Sequence, residues 1–221
     1  HRQVLRQLQA LYEQQGDCSA LLGLLPELRK NKVLTDPALL ELEQRAWRGR
    51  LADAGRSGLN AGETALQPLT QAWQQLSSTQ RHDPQLLLAY AEQLRELGAE
   101  SEAEEVLGKA LKRQYDARLV ALYGELAGAD PARQLQAAEG WLKQQPAELL
   151  LALGRLCLRN RLWDKAREYF ETSLGLTRSA ATCAELARLL AHQGEVARSN
   201  ELFQEALGLQ QQRLPNLPLP A

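Results

Sequence analysis

Methionine is absent from this chain of 221 residues, and histidine and cysteine occur only three times each. Cys18, Cys157 and Cys183 are odd in number, far apart and free of any Cys-x-x-Cys. That pattern excludes a disulfide framework and the usual zinc spacings, and it points to a reducing compartment. The histidines, His1, His82 and His192, lie near no cysteine or carboxylate pair at ligand spacing, so no metal site is expected. No HExxH, GxSxG or P-loop motif occurs, which leaves no catalytic residue to name and argues against an enzyme. Aromatics make up only 5% of the chain, and valine and isoleucine are scarce, so extended strands are disfavoured. No apolar run approaches the roughly 18 residues of a membrane span, and no secretory signal is present. Neither sign of charge dominates: 26 Lys and Arg against 27 Asp and Glu leave a net −1. A nucleic-acid binder working through bulk electrostatics is therefore not expected.

What remains is a helix former's alphabet. Ala, Leu, Gln, Glu and Arg dominate, and 44% of residues are hydrophobic, enough to build a core. The clearest pattern runs from Pro146 to Leu174. Leu150, Leu153, Gly154 and Cys157 recur at three- and four-residue spacing, and Ala166, Phe170 and Ser173 do the same on a second helix. Gly154 stands twelve residues before Ala166 and sixteen before Phe170. A small residue on each helix lets the backbones approach, and the large Phe170 fills the seam. That is the grammar of the tetratricopeptide repeat, a helix–turn–helix unit of about 34 residues. Cys157 reads as a small buried hydrophobe of this face rather than a nucleophile.

The same spacing recurs at Ala91, Ala103 and Leu107, and again at Ala187, Ser199 and Phe203. The clearest repeats cover 84–114, 147–178 and 180–210. Arg118 to Ala127 and Pro131 to Gln145 form a shorter, degenerate pair. Upstream, Gln3–Gln15 places Val4, Leu5, Leu8 and Leu11 inward, and Cys18–Lys30 is expected to kink or start late at Pro26. Thr35-Asp36-Pro37 opens a long helix reaching about Ala54. Arg56 to Gly62 reads as a loop and as the one place where two domains could divide; a helix from Glu63 to Ser77 follows it. The expected fold is all-α, a right-handed superhelix of antiparallel helix pairs, an α-solenoid of about 10–12 helices over 1–212. The proline-rich tail at 213–221 is expected to be extended or disordered. A chain that opens on His1 reads as a piece of a longer protein.

The runs LVALYGEL and AEGWLKQQPAELLLALGRLCLRNRLWDKAREYFETSL resemble the C-terminal domain of the HemY family. These are tetratricopeptide proteins of the proteobacterial inner membrane, encoded with haem-biosynthesis genes and distinct from the oxidase of the same name. The resemblance spans about Leu69 to Leu207, including Trp73 and the YAEQL run at Tyr90, and is strongest from Leu119 to Leu174. Trp141-Leu142-Lys143, Leu153-Gly154-Arg155-Leu156 and Leu162-Trp163 carry it most specifically. It implies a non-catalytic scaffold or adaptor in late haem synthesis. Its protein partners would be haem-biosynthesis enzymes at the membrane; the alternative it implies is a carrier of a porphyrin or haem intermediate. The family's two N-terminal membrane helices have no counterpart here, so any membrane attachment would come from an anchor outside this piece, with this domain on the cytoplasmic side. No cofactor is implied. Were haem itself the ligand, His82, His192 or a cysteine would have to supply the axial bond.

In tetratricopeptide arrays the first helix of each pair lines a concave groove. With the apolar stripes turned inward, the helix of Gly154 presents Leu151, Arg155, Leu158 and Arg159, and the next presents Ala184, Arg188, Ala191 and His192. Arg155/Arg159 and Arg188/His192 are i,i+4 pairs, each projecting from one face. Two basic pairs in one groove suit a carboxylate, from a peptide or from a porphyrin. The bland alternative is a solvated face whose cations balance Glu148 and Glu185. Trp47, Trp73 and Trp141 fall on apolar faces and read as packing; Trp163 opens a helix and should be part-exposed.

Overall fold

The structure, a computed structural model, describes residues 1–210; the proline-rich tail lies outside them. Among the described residues there are thirteen α-helices, one short 3-10 turn and no strand, so the chain is all-α as expected. Two compact units divide between Ala110 and Leu111.

The first unit opens with α1 (Arg2–Gln15), α2 (Cys18–Lys30) and α3 (Asp36–Gly58). Asp17 caps α2 by accepting from the amide of Ala20, and Pro37 sits in the first turn of α3, where its missing N–H matters least. Leu5, Leu21, Leu25, Leu28, Leu39, Leu42 and Ala46 make the shared core. Of the four residues expected inward on α1, only Leu5 is buried. Val4 and Leu11 are exposed, because α2 covers a single side of α1. Pro26 starts nothing: α2 runs through it.

The stretch expected to be a loop is one only from Leu59 onward. Arg56, Ser57 and Gly58 are the last residues of α3, which ends four residues beyond the expected Ala54. Gly62 is turn chemistry as read, with a left-handed φ of 60°, but Gly58 serves close approach instead: a β-carbon on it would run into the carbonyl of Ala65. The helix expected over Glu63–Ser77 is broken into a 3-10 turn (Gly62–Thr64), α4 (Gln67–Gln74) and the single turn α5 (Ser78–Arg81). Ser77 and Gln80 form a reciprocal capping box that starts α5. Next comes α6 (Pro84–Glu96), whose Tyr90 stacks on Trp73 with ring centroids 4.2 Å apart. Ala91 of α6 and Ala103 and Leu107 of α7 (Glu100–Arg113) are inaccessible to solvent, as repeat positions require.

The second unit is built on α10 (Ala147–Arg159), which packs against α8 (Ala117–Tyr123), α9 (Pro131–Glu139) and α11 (Trp163–Leu176). In turn α11 packs on α12 (Ala180–His192), and α12 on α13 (Val196–Leu209). Gly154, Ala166, Phe170, Ala187 and Ser199 are all buried, and the Ser199 hydroxyl donates to the carbonyl of Ala187 at 2.6 Å. Phe203 departs from the pattern. Phe170 is fully buried, whereas Phe203 is 40% exposed. Two causes are visible. Phe170 lies against Gly154, which has no β-carbon, whereas the residue sixteen before Phe203 is Ala187, which carries a methyl group. Phe170 is also covered by α12, and among the described residues no helix follows α13.

One turn recurs through both units. Gly16, Lys32, Gly98, Arg161 and Gly194 each adopt a left-handed φ between 48° and 85° after a helix end. Each is followed by an amide that donates five residues back: Asp17 to Tyr12, Val33 to Leu28, Ala99 to Leu94, Leu162 to Cys157 and Glu195 to Leu190. This Schellman-type closure reverses the chain and sets each pair antiparallel. A side chain at that position costs roughly 1 kcal/mol. Arg161→Gly should therefore raise the melting temperature by about 2–4 °C for a chain of this size. Calorimetry checks it, and a fall would mean that the exposed arginine contributes more than its backbone strain removes.

Candidate partner-binding site

The late turn of α10, the first residue of α11 and the last turn of α12 enclose a cavity of about 450 Å³ in the second unit. Leu158 of α10 and Leu189 of α12 give it apolar walls, and Trp163, 48% exposed, stands at its edge. Arg188 and His192 of α12 and Gln193 bring polar groups to the same space. Helix geometry explains the convergence. Arg188 and His192 are one turn apart on one face of α12, and the three-residue turn after α10 swings Trp163 back beside Leu158. An indole, two leucines, a guanidinium and an imidazole make walls whose chemistry is complementary to an apolar group with negative charge nearby.

The four residues expected in one groove do not act alike. Arg188 and His192 line the cavity. Arg188 donates both bonds of a 2.9 Å contact to Glu185, one turn back, yet its side chain stays 63% exposed. Such local helix pairs are worth about 0.3–0.5 kcal/mol, so Arg188 is easily redirected to a ligand. Arg155 and Arg159 turn to the segment that follows α8 instead. Arg155 pairs with the Glu125 carboxylate at 3.5 Å, and Arg159 donates to the Glu125 carbonyl at 2.6 Å. Asn160 holds the neighbouring segment by donating to the carbonyl of Pro131 at 3.0 Å. Glu185 is thus balanced by an arginine as the bland reading had it, but Glu148 accepts from the hydroxyl of Tyr115 at 3.0 Å. Burial first, and then that bond, push the Tyr115 phenol well above its ordinary range.

The remaining candidates for chemistry are quiet. Burial pushes the Cys157 thiol up to about 11, and Cys183 is raised by the same cause, so neither is a thiolate near neutrality. Among the described residues no three His, Cys, Asp or Glu side chains gather as a metal would need, and no helix is long and apolar enough to cross a membrane. Trp141 packs edge-on against Tyr123 at 4.7 Å. Of the cavity's lining residues, sequence reasoning had named Arg188 and His192 as groove candidates but not Leu189 or Gln193. Leu189 is buried, at 7% exposure, and still reaches the cavity wall.

No protein-family model matches the chain. Protein HemY of Escherichia coli (strain K12) is 30% identical over 192 residues, 86% of this chain and 47% of that protein. Protein HemY of Shigella flexneri matches to the same extent. The chain spans about half the length of the curated relatives it matches. Two solved structures, MamA MSR-1 and MamA AMB-1, align with TM-scores of 0.41 and 0.38 at 17% and 18% identity. They cover 75% and 79% of this chain and 97% and 95% of theirs. The helix pairing described above does not depend on that likeness. The chain is a distant relative of the HemY proteins.

Proposed function

We propose that this chain is a non-catalytic helical-repeat scaffold that gathers enzymes of late haem synthesis at the bacterial inner membrane. The cavity between α10 and α12 receives one of those partners. Kinship with HemY supports the pathway, and the cavity at Trp163, Arg188 and His192 supports binding as the means. In this reading Trp163 and the two leucines take an apolar anchor of the partner, and Arg188 takes a carboxylate beside it. A second reading has support in the same walls. Leucine and indole surfaces with one guanidinium and one imidazole also suit a porphyrin, and the chain would then carry a haem intermediate.

The test is made in the natural membrane-anchored protein. Arg188→Glu should leave helicity and melting nearly unchanged, since its one ion pair is local and exposed. Truncating or reversing a desolvated charge contact commonly costs about 2–5 kcal/mol of binding, so capture of membrane enzymes should fall at least tenfold. Wild-type capture should also weaken as salt rises. A porphyrin absorbance titration separates the readings: saturation at one equivalent, lost in the Arg188→Glu protein, supports the carrier. Unchanged capture and no porphyrin response would place binding on another surface.

A further inference from the structure

The first unit holds a cavity of different character, which the reading above does not use. It measures about 520 Å³, and no aromatic ring lines it. Three primary amides enter it from three helices: Gln9 of α1, Gln44 of α3 and Gln85 of α6. Gln44 donates to the Asp83 carboxylate at 2.7 Å. Among the described residues, the side chains of Gln9 and Gln85 make no hydrogen bond. Charge is present with both signs. Arg45 is committed to Glu13 of α1, but Glu41 and Arg48 form no ion pair among the described residues. Among the described residues no side-chain polar atom sealed from solvent lacks a partner, so these groups open onto the cavity rather than being stranded in the core.

A side-chain amide carries the same donor and acceptor as a peptide group. Three of them on separate helices match successive peptide groups of an extended chain, not one compact solute. Glu41 and Arg48 are seven residues apart on α3, about 10.5 Å at 1.5 Å per residue, and two turns bring them to one side. In an extended left-handed chain, residues three apart share a face and lie about 9.3 Å apart. Glu41 repels phosphate and the lining offers no stacking surface, which disfavours nucleic acid. We propose that this cavity binds an extended peptide segment. Gln9, Gln44 and Gln85 hold its main chain, while Glu41 and Arg48 read a basic and an acidic side chain three residues apart.

The probe is acetyl-Ser-Thr-Lys-Thr-Ser-Glu-Thr-Ser-amide, titrated into the whole chain and followed by the side-chain amide resonances of the three glutamines. These should shift and saturate with a Kd of about 1 mM or tighter, in the range open to a short, exposed ligand. Arg48→Glu, at an exposed position, should weaken binding about tenfold, and a probe with its glutamate changed to lysine should restore it. N-methylating alternate peptide groups of the probe should abolish the shifts while leaving its charges intact. Arg188→Glu in the other unit should change nothing. Silent glutamine resonances at several millimolar probe, or shifts indifferent to Arg48 and to N-methylation, would show a solvated polar face and overturn the site.

Discussion

Gly154→Leu should lower stability by about 2–3 kcal/mol and the melting temperature by roughly 5–10 °C. A β-carbon at Gly154 would lie within 2.8 Å of three ring carbons of Phe170, Cδ1, Cε1 and Cζ. Phe170 has no room to retreat, being fully buried between α10 and α12. Leucine gains about 1 kcal/mol of helix propensity over glycine, so the overpacking must exceed that gain for the sign to hold. Gly175 supplies the contrast within the neighbouring helix. Nothing lies within 4 Å of its would-be β-carbon, and Gly175→Ala should raise stability by about 0.8–1 kcal/mol. If the clash is with the ring, Phe170→Leu in the Gly154→Ala background should recover part of the loss, a coupling that a double-mutant cycle reads directly. Additive losses would mean that Gly154 is intolerant for another reason.

The elements read correctly from sequence are those whose determinants are local. The α10–α11 and α12–α13 pairs follow from apolar spacing, small residues twelve apart and a turn three residues long, all contained within about 34 residues. The loop expected over Arg56 to Gly62 starts only at Leu59, because a glycine carries two meanings. The same residue permits a turn or a close approach, and only the presence of Ala65 near Gly58 selects the second. Phe203 failed because repetition of a residue does not repeat its surroundings: among the described residues no helix covers α13 as α12 covers α11, and Phe203 stays 40% exposed.

The candidate site divides along the same line. Arg155, Arg159, Arg188 and His192 were placed on outward helix faces by periodicity alone, which was sound. Whether an outward cation is available for binding depends on what stands opposite, and Glu125 lies thirty residues before Arg155. It meets Arg155 and Arg159 only because α8 stops after seven residues and the chain turns back across α10. Arg188 finds its carboxylate within its own helix, so its exposure was legible.

The residue that holds this turn gave no sequence signal at all, and replacing it should have the other large effect. Gln134→Leu is expected to cost about 3 kcal/mol and to lower the melting temperature by roughly 6–12 °C. Gln134 is 1% exposed. Its amide donates to the carbonyls of Leu126 at 2.9 Å and Tyr123 at 3.2 Å, and its oxygen accepts from the amide of Gly128 at 3.1 Å. Leucine keeps the volume but leaves the Leu126 carbonyl and the Gly128 amide without these partners, each worth about 1–3 kcal/mol. The Tyr123 carbonyl keeps a long bond from the amide of Leu126 at 3.3 Å. Gln134→Glu sharpens the test through pH. A carboxylate aimed at two carbonyls is disfavoured, so the folded pKa of the new acid rises above its unfolded value near 4.3, and the protonated form regains one donor. Its deficit against wild type, measured at each pH by urea denaturation, should be small near pH 4 and grow as pH rises through neutrality. A deficit independent of pH, or a Gln134→Leu protein melting within a degree or two of the parent, would mean that water replaces the amide and the turn does not depend on it.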